Sequence, residues 1–112
     1  MALHVQTDMR STPVNPTANP SLFEDGRITL NAMQQLVGGY IQVRTLHHHI
    51  NVDGKVYVAI GMDEDGKMKE APRNVIATEL ARKYGAIGSK DFIVGNAVLF
   101  EAAELQDGDD DE

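Results

Sequence analysis

The spacing of apolar residues along the chain predicts two short helices. In the first, over residues 30–37, an apolar side chain recurs every three or four positions. Thr29 is a typical N-cap, and Gly38 can adopt the left-handed conformation that ends a helix. The second helix is expected to start at Asn74 and to end at Gly85, with its apolar side chains on one side. Each helix therefore has one face to bury.

Alternating apolar and polar residues predict two strands between these helices. The first covers residues 40–46, with Gln42 and Arg44 directed away from the core. The second covers residues 55–60, with Val56, Val58 and Ile60 directed inward. Such half-buried strands are typical of an antiparallel sheet.

The connection between these strands contains a conflict of register. Asp53-Gly54 is typical of a two-residue hairpin turn. That turn would place His47, His49 and Asn51 on the same face as the apolar residues of the second strand. A bulge or a longer loop would remove the conflict. We expect a longer, partly irregular connection over residues 47–54.

The end of the chain supplies one more apolar segment. Residues 92–100 are almost continuously apolar, which predicts a central strand buried on both faces, unless a turn at Gly95-Asn96 divides it in two. A short returning strand at residues 67–69 is optional. The fold class is therefore α+β, with two helices and a small, mainly antiparallel sheet of three to five strands in the order α-β-β-(β)-α-β.

Composition divides the chain into three parts. Residues 1–21 contain three of the four prolines among Ser, Thr and Asn, and we expect a disordered arm there. Residues 22–103 form a single α+β domain. Residues 104–112 are expected to be a disordered acidic tail. A domain of this size can hold only a small core.

Charge and composition narrow the classes of function. The net charge is −7, and the ten acidic and ten basic residues before position 101 cancel, so the end of the chain carries the whole excess. Free nucleic acid is not expected as a partner, because an acidic tail repels phosphates. The chain has no cysteine, no secretory signal pattern and no apolar run of about 18 residues, so we expect a cytoplasmic protein with no membrane partner.

Three consecutive histidines are the most conspicuous cluster. On a strand, His47 and His49 would share a face at a spacing that suits two imidazole ligands of a metal. No third ligand is identifiable from the sequence, and a solvated stretch is the simpler interpretation. We therefore assign no metal site and no cofactor, and keep a metal-dependent enzyme using His47 and His49 as an alternative.

Four polar residues near element junctions are candidates for ligand binding. Arg44 projects from the first predicted strand, and Arg73 and Asn74 precede the second helix, with Thr78 one turn further on. Because helix N-termini offer free backbone N–H groups, these residues could hold an anion such as phosphate. Capping by Asn74 beside a solvated Arg73 is the structural alternative.

Two blocks of the chain resemble a family of small uncharacterised proteins of bacteriophages and other mobile elements. The first is Leu36-Val37-Gly38-Gly39-Tyr40-Ile41, and the closing block is Asp91-Phe92-Ile93-Val94-Gly95-Asn96-Ala97-Val98. An acidic turn before Gly66-Lys67, and Asn74 ahead of Ala77-Thr78, match less specifically. The resemblance covers residues 30–100 and implies an accessory protein that acts in a bacterial host.

These observations favour a non-catalytic binding protein that modulates a host process. It would contact a host protein through a sheet edge or residues 47–54, or sequester a small anionic metabolite or nucleotide at Arg44, Arg73 and Asn74, at a subunit boundary of a homo-oligomer. No catalytic constellation is identifiable. Two alternatives remain. One is the metal-dependent enzyme, and the other is a nucleic-acid-associated protein whose domain binds nucleic acid while its acidic tail competes with the nucleic acid for the same surface.

Overall fold

The computed structural model describes residues 2–102, apart from the side chain of His47. In chain order the elements are β1 (Ala2–Val5), β2 (Ser11–Val14), a 3-10 turn (Pro20–Leu22), β3 (Phe23–Glu24), β4 (Arg27–Ile28), α1 (Leu30–Val37), β5 (Ile41–Val52), β6 (Lys55–Asp63), α2 (Val75–Lys83) and β7 (Ala97–Phe100). The predicted acidic tail, residues 104–112, lies outside the described residues. Within residues 2–102, neither helix has the length and apolarity needed to cross a membrane.

Five strands form one antiparallel sheet in the order β2-β1-β7-β6-β5, and β3 and β4 form a separate small hairpin. The α+β class is confirmed. The predicted order of elements missed the four strands before α1. Residues 67–69 form a turn, so the optional strand is absent.

Both faces of the sheet are covered, each by one helix. On the face that we call the α2 face, Ala77 and Ala81 pack against Ile60 and Leu99. On the opposite face, the α1 face, the helix α1 packs against Phe100 and its neighbours. All four residues of β7 are buried between the two layers, which confirms the central strand. Gly95, with φ of 75°, separates β7 from Val94, which forms an isolated bridge with Arg73.

The structure corrects the expectation of a disordered arm over residues 1–21. β1 lies inside the sheet between β2 and β7, and Ala2 and Val5 are fully buried. Its four residues order because both of their edges pair with other strands and their side chains reach both clusters of the core. Pro13 is accommodated because β2 is an edge strand, where one backbone N–H is dispensable.

The connection between β5 and β6 is a tight turn, preceded in β5 by a bulge, so the expected longer loop is wrong. Asp53 and Gly54 both have positive φ, 52° and 81°, and their turn pairs Val52 with Lys55. The register then shifts between Thr45 and Ile50. On the turn side of the shift, Ile50 lies opposite Tyr57, and both are buried in the core of the α2 face, whereas Val56, which was expected to face inward, is 43% exposed.

The predicted helix ends are confirmed. Oγ1 of Thr29 accepts a hydrogen bond from the backbone N–H of Ala32 at 3.1 Å, and Gly38 ends α1 with φ of 86°. Asn74 caps α2 in the same way through Ala77, at 3.0 Å. The Asn74 cap fixes where α2 begins. It thereby also fixes the position of residues 91–95, which cross the first turn of α2.

Candidate functional site

Asn74, a candidate ligand residue from the sequence, is fully buried and hydrogen-bonded within the protein. Its Nδ2 donates to the carbonyl oxygens of Val5 and Gly95, both at 2.9 Å, while its Oδ1 caps α2. A buried amide in this position joins three chain segments. Its polar atoms are therefore occupied by the fold.

Thr78 has a similar role one turn further along α2. Its Oγ1 accepts from the backbone N–H of Ile93 at 2.9 Å and donates to the carbonyl oxygen of the same residue at 3.3 Å. Together Asn74 and Thr78 hold residues 91–95 against the first turn of α2. They support one wall of the cleft described next, whose lining includes Arg44.

A cleft of about 150 Å³ lies between residues 91–94 and the end of the sheet formed by β5 and β6. We call it the Arg44 cleft. Its lining residues are Gln42, Arg44, Met62, Asp63, Glu64, Lys67, Ile87, Asp91, Phe92, Ile93 and Val94. The apolar residues among them belong to the α2 face or follow α2, and the charged ones form the rim. The cleft thus combines apolar packing surface with charges of both signs.

Two of the three carboxylates of the cleft are engaged in ion pairs. Lys67 Nζ lies 2.6 Å from Oδ1 of Asp91, and Lys69 Nζ lies 2.5 Å from Oδ2 of Asp63. The hydrogen bond from Lys67 holds the pKa of Asp91 below its ordinary value, and the backbone N–H of Phe92 acts in the same direction. The ionised form of Asp91 is therefore stabilised by its neighbours.

Of the two arginines predicted from the sequence, Arg44 lines this cleft, and Arg73 does not line it but stacks on Phe92, which does. Arg44 is exposed and makes no hydrogen bond or ion pair with any residue of the described part of the chain. Arg73 Cζ lies 4.3 Å from the centre of the Phe92 ring, and Lys67 Nζ lies 4.6 Å from it. Phe92 was missed as a site residue because its apolar surroundings in the sequence are typical of a core strand.

The outer edge of β5 is the second feature of the site. β5 ends the sheet, so one of its edges has no neighbouring strand within residues 2–102. Over residues 41–45, no backbone group bonds to another element apart from β6 in this part of the chain. Val43 is 43% exposed, and Tyr40, directly before the strand, is 71% exposed. This edge borders the Arg44 cleft through Gln42 and Arg44.

The opposite edge of the sheet, formed by β2, has features that protect an edge from pairing with another strand. β2 has only four residues and contains Pro13. β5 has twelve residues, and it contains neither proline nor lysine nor a carboxylate. Its bulge between Thr45 and Ile50 interrupts the edge, which leaves residues 41–45 as its regular part.

The histidine cluster is carried by β5 at the bulge. His48 and His49 are exposed, and the side chain of His47, one of the two candidate metal ligands, lies outside the described residues. In the part of the chain that the structure describes, no three histidine or acidic side chains are grouped closely enough to hold a metal ion. The geometry of the described residues therefore gives no support to the alternative of a metal site at the histidines.

No protein-family model matches this chain, and neither a curated protein nor a solved structure has significant similarity to it.

Proposed function

We propose that this protein is a non-catalytic binding protein that captures an extended segment of a partner protein along β5. The observation that carries the proposal is the unprotected edge over residues 41–45. A peptide that adds a strand to such an edge gains main-chain hydrogen bonds from backbone groups that are otherwise left to water. Specificity then comes from the side chains and pockets beside the edge.

The side chains around this edge suit a protein interface. Tyrosine and arginine are over-represented among the residues that dominate binding energy, and Tyr40 and Arg44 flank the exposed Val43. Tyr40 also borders an open depression formed with Gln34, Gln35 and Lys69. The exposed Tyr40, Val43 and Arg44 would thus be covered when a partner strand is added.

The partner is proposed to be a host protein in the bacterial cytoplasm, and the protein a phage or mobile-element accessory protein that modulates a host process. The resemblance of residues 36–41 and 91–98 to small phage proteins supports this context. A binding role without catalysis is supported by the cleft itself. Asp63 and Asp91 are engaged in ion pairs with lysines, so their carboxylates are already occupied by contacts within the protein.

Sequestration of a small anion is a second candidate function. It is favoured by Arg44, which makes no hydrogen bond or ion pair within residues 2–102, and by Arg73 beside Phe92. The cleft of about 150 Å³ is smaller than typical ligand pockets of roughly 300–1,000 Å³, so a carboxylate or phosphate group fits better than a whole nucleotide. Thermal-shift measurements with acetate, phosphate and nucleotides test this candidate, and no shift with any of them would exclude it.

The proposed function is tested by placing a lysine on the edge. Val43→Lys introduces the charge that natural proteins use to block edge pairing, and Val56→Lys is a matched control because Val56 is also 43% exposed but lies outside residues 41–45. Immobilised wild type and both variants are exposed to bacterial lysate, and captured proteins are identified by mass spectrometry. Amide hydrogen exchange of the purified complex then maps the contact.

We expect the partner to bind the wild type and Val56→Lys, and to be lost from Val43→Lys. The complex should slow amide exchange within residues 41–45, because those N–H groups become hydrogen-bonded. A partner that binds Val43→Lys as tightly as wild type, with protection only elsewhere in the chain, would refute strand capture at β5.

A further inference from the structure

We infer that, when no partner occupies the edge of β5, two copies of this protein pair through it, with their β5 strands antiparallel about a two-fold axis at Val43. The pairing would join two five-stranded sheets into one continuous sheet. The inference goes beyond the proposed function, because it names a second copy of the chain as an occupant of the edge and is tested on the purified protein alone. It follows from the direction of the backbone groups at the edge, from the side chains beside them and from their charges.

The open edge of β5 presents the backbone groups of every second residue. The N–H of Glu64 donates to the carbonyl oxygen of Tyr40 at 2.8 Å, and the same register with β6 continues through Thr45. Because hydrogen bonding alternates along an antiparallel pair, the even-numbered residues of this stretch bond to β6. The N–H and C=O groups of Ile41, Val43 and Thr45 therefore point to the open edge, where they bond to no other element within residues 2–102.

These three residues favour one register for a symmetric pair. With the axis at Val43, Val43 lies opposite Val43 of the second copy and Ile41 opposite Thr45, so all three donate and accept across the axis. A register shifted toward the start of the strand would need the N–H of Gly39, which already donates to a carbonyl oxygen of α1 at 3.1 Å. A register shifted toward the bulge would place Arg44 directly opposite Arg44 of the second copy, and like charges in that position are destabilising.

The side chains on the α1 face of the edge are self-complementary. Ile41 packs in the core of this face, and alternation places Val43 and Thr45 on the same side of the strand. All three are β-branched, which suits cross-strand packing. With the axis at Val43 they form one row across both copies, and the two valines, each 43% exposed, would cover each other.

On the α2 face the same register avoids a clash of charges. Gln42 and Arg44 both line the Arg44 cleft, so they project to one face. Across the axis, Arg44 of each copy lies opposite Gln42 of the other, and an amide oxygen can accept a hydrogen bond from a guanidinium group. β5 contains no lysine or carboxylate of the kind that blocks pairing at protected edges.

The pair should be weak and reversible. The regular edge is limited to residues 41–45, whereas a stable interface usually takes about 20–30 residues from each partner. We therefore expect a dimer that forms at high protein concentration and dissociates on dilution. A captured partner strand would take the place of the second copy, so dimerisation and strand capture would exclude each other.

The oligomeric state of the full chain tests the pairing. Sedimentation equilibrium compares wild type with Val43→Lys, which places two lysines opposite each other at the axis, and with Val56→Lys, whose valine is equally exposed but lies away from this edge. We expect wild type and Val56→Lys to dimerise with the same dissociation constant, and Val43→Lys to dimerise roughly tenfold more weakly or not at all. Thermal unfolding of each variant confirms that it is folded.

Cysteine cross-linking tests the register. The chain has no cysteine, so Val43→Cys carries a single thiol. Directly opposite residues have Cα atoms about 5.5 Å apart, which a disulfide can bridge. Gln42→Cys would lie diagonally to its copy at about 7–8 Å, which is too far, and Val56→Cys is the control for random collision. In a glutathione buffer we expect a covalent dimer of Val43→Cys and roughly tenfold less of the other two.

Three results would overturn the inference. A wild type that stays monomeric at millimolar concentration would refute the dimer and leave strand capture standing. A Val43→Lys variant that dimerises as tightly as wild type would place the contact elsewhere and refute pairing through β5. Cross-linking of Gln42→Cys or Val56→Cys to the same extent as Val43→Cys would refute the axis at Val43. Failure to capture any host protein would refute the proposed function without affecting the dimer.

Discussion

Nδ2 of Asn74 donates a hydrogen bond to the carbonyl oxygen of Val5 at 2.9 Å, across 69 positions of the chain. The bond ties the interior strand β1 to the N-cap of α2, and the same nitrogen donates to the carbonyl oxygen of Gly95. One buried amide thus fixes the position of α2 relative to the sheet and of the segment that forms a wall of the Arg44 cleft.

Replacing Asn74 should therefore destabilise the whole domain. Asn74→Ala removes the N-cap and the two hydrogen bonds that Nδ2 donates to the carbonyl oxygens of Val5 and Gly95, which together should lower the free energy of unfolding by about 3 kcal/mol. Asn31→Ala, at an exposed position of α1, is the control and should change it by less than about 0.5 kcal/mol. Urea denaturation measures both, and equal stabilities would contradict the structural role of Asn74.

The position of β1 inside the sheet leads to a second prediction. Val5 is fully buried, so Val5→Ala should lower the free energy of unfolding by about 2 kcal/mol through lost burial and the cavity left behind. Thr12 is exposed on β2, and Thr12→Ala should have an effect below about 0.5 kcal/mol. If residues 1–21 were a disordered arm, neither substitution would change the urea midpoint.

Gly61 has no room for a side chain where β6 crosses the α1 face. A Cβ atom there would lie 2.6 Å from Cδ1 of Ile41 and 2.9 Å from the ring of Phe100. Gly61→Ala should therefore destabilise the protein by about 1–3 kcal/mol through overpacking. Ile41→Val removes the closest atom, so the double variant should regain part of this loss. A double-mutant cycle in urea measures the coupling, and strictly additive effects would contradict the contact.

The elements that were predicted correctly are those whose signals are local in sequence. The caps at Thr29 and Asn74 each depend on residues within a few positions. The turn at Asp53-Gly54 also has a local signal, yet a longer connection was expected there, because the hairpin register placed histidines opposite residues of β6 that were expected to face inward. β1 could not be found in this way, because its four residues resemble any short apolar stretch and its partner Phe100 lies at the other end of the chain. The length of the bulge after Thr45 was also inaccessible, since it depends on which residues the core of the α2 face accepts.

The candidate site was predictable only in part, for a related reason. The alternation in β5 predicted that the side chain of Arg44 is exposed, which it is. It did not predict that this face of the sheet carries a cleft, which residues 91–94 partly cover. Polar residues at a helix start can serve either a ligand or the fold, and the sequence does not distinguish the two. Asn74 and Thr78 are used by the fold because residues 91–95, distant in sequence, occupy their hydrogen-bonding groups.

His4 should make the stability of the protein depend on pH. Its Nε2 donates to the carbonyl oxygen of Leu36 at 2.9 Å, which joins β1 to the end of α1. Burial lowers the pKa of His4 below its ordinary value of 6.5 and outweighs the opposing effects of this hydrogen bond and of Asp8. The folded state therefore favours the neutral form of the His4 imidazole.

The unfolded chain consequently takes up a proton at higher pH than the folded one does. The contribution of His4 should be fully present above about pH 6.5 and should be lost as the pH falls from there through the lower pKa of the folded state. His4→Gln keeps a hydrogen-bond donor but does not titrate. On acidification, the free energy of unfolding of wild type should therefore fall relative to that of this variant. Urea midpoints from pH 7.5 to pH 5 measure it, and a difference that stays constant over this range would show that burial does not perturb His4.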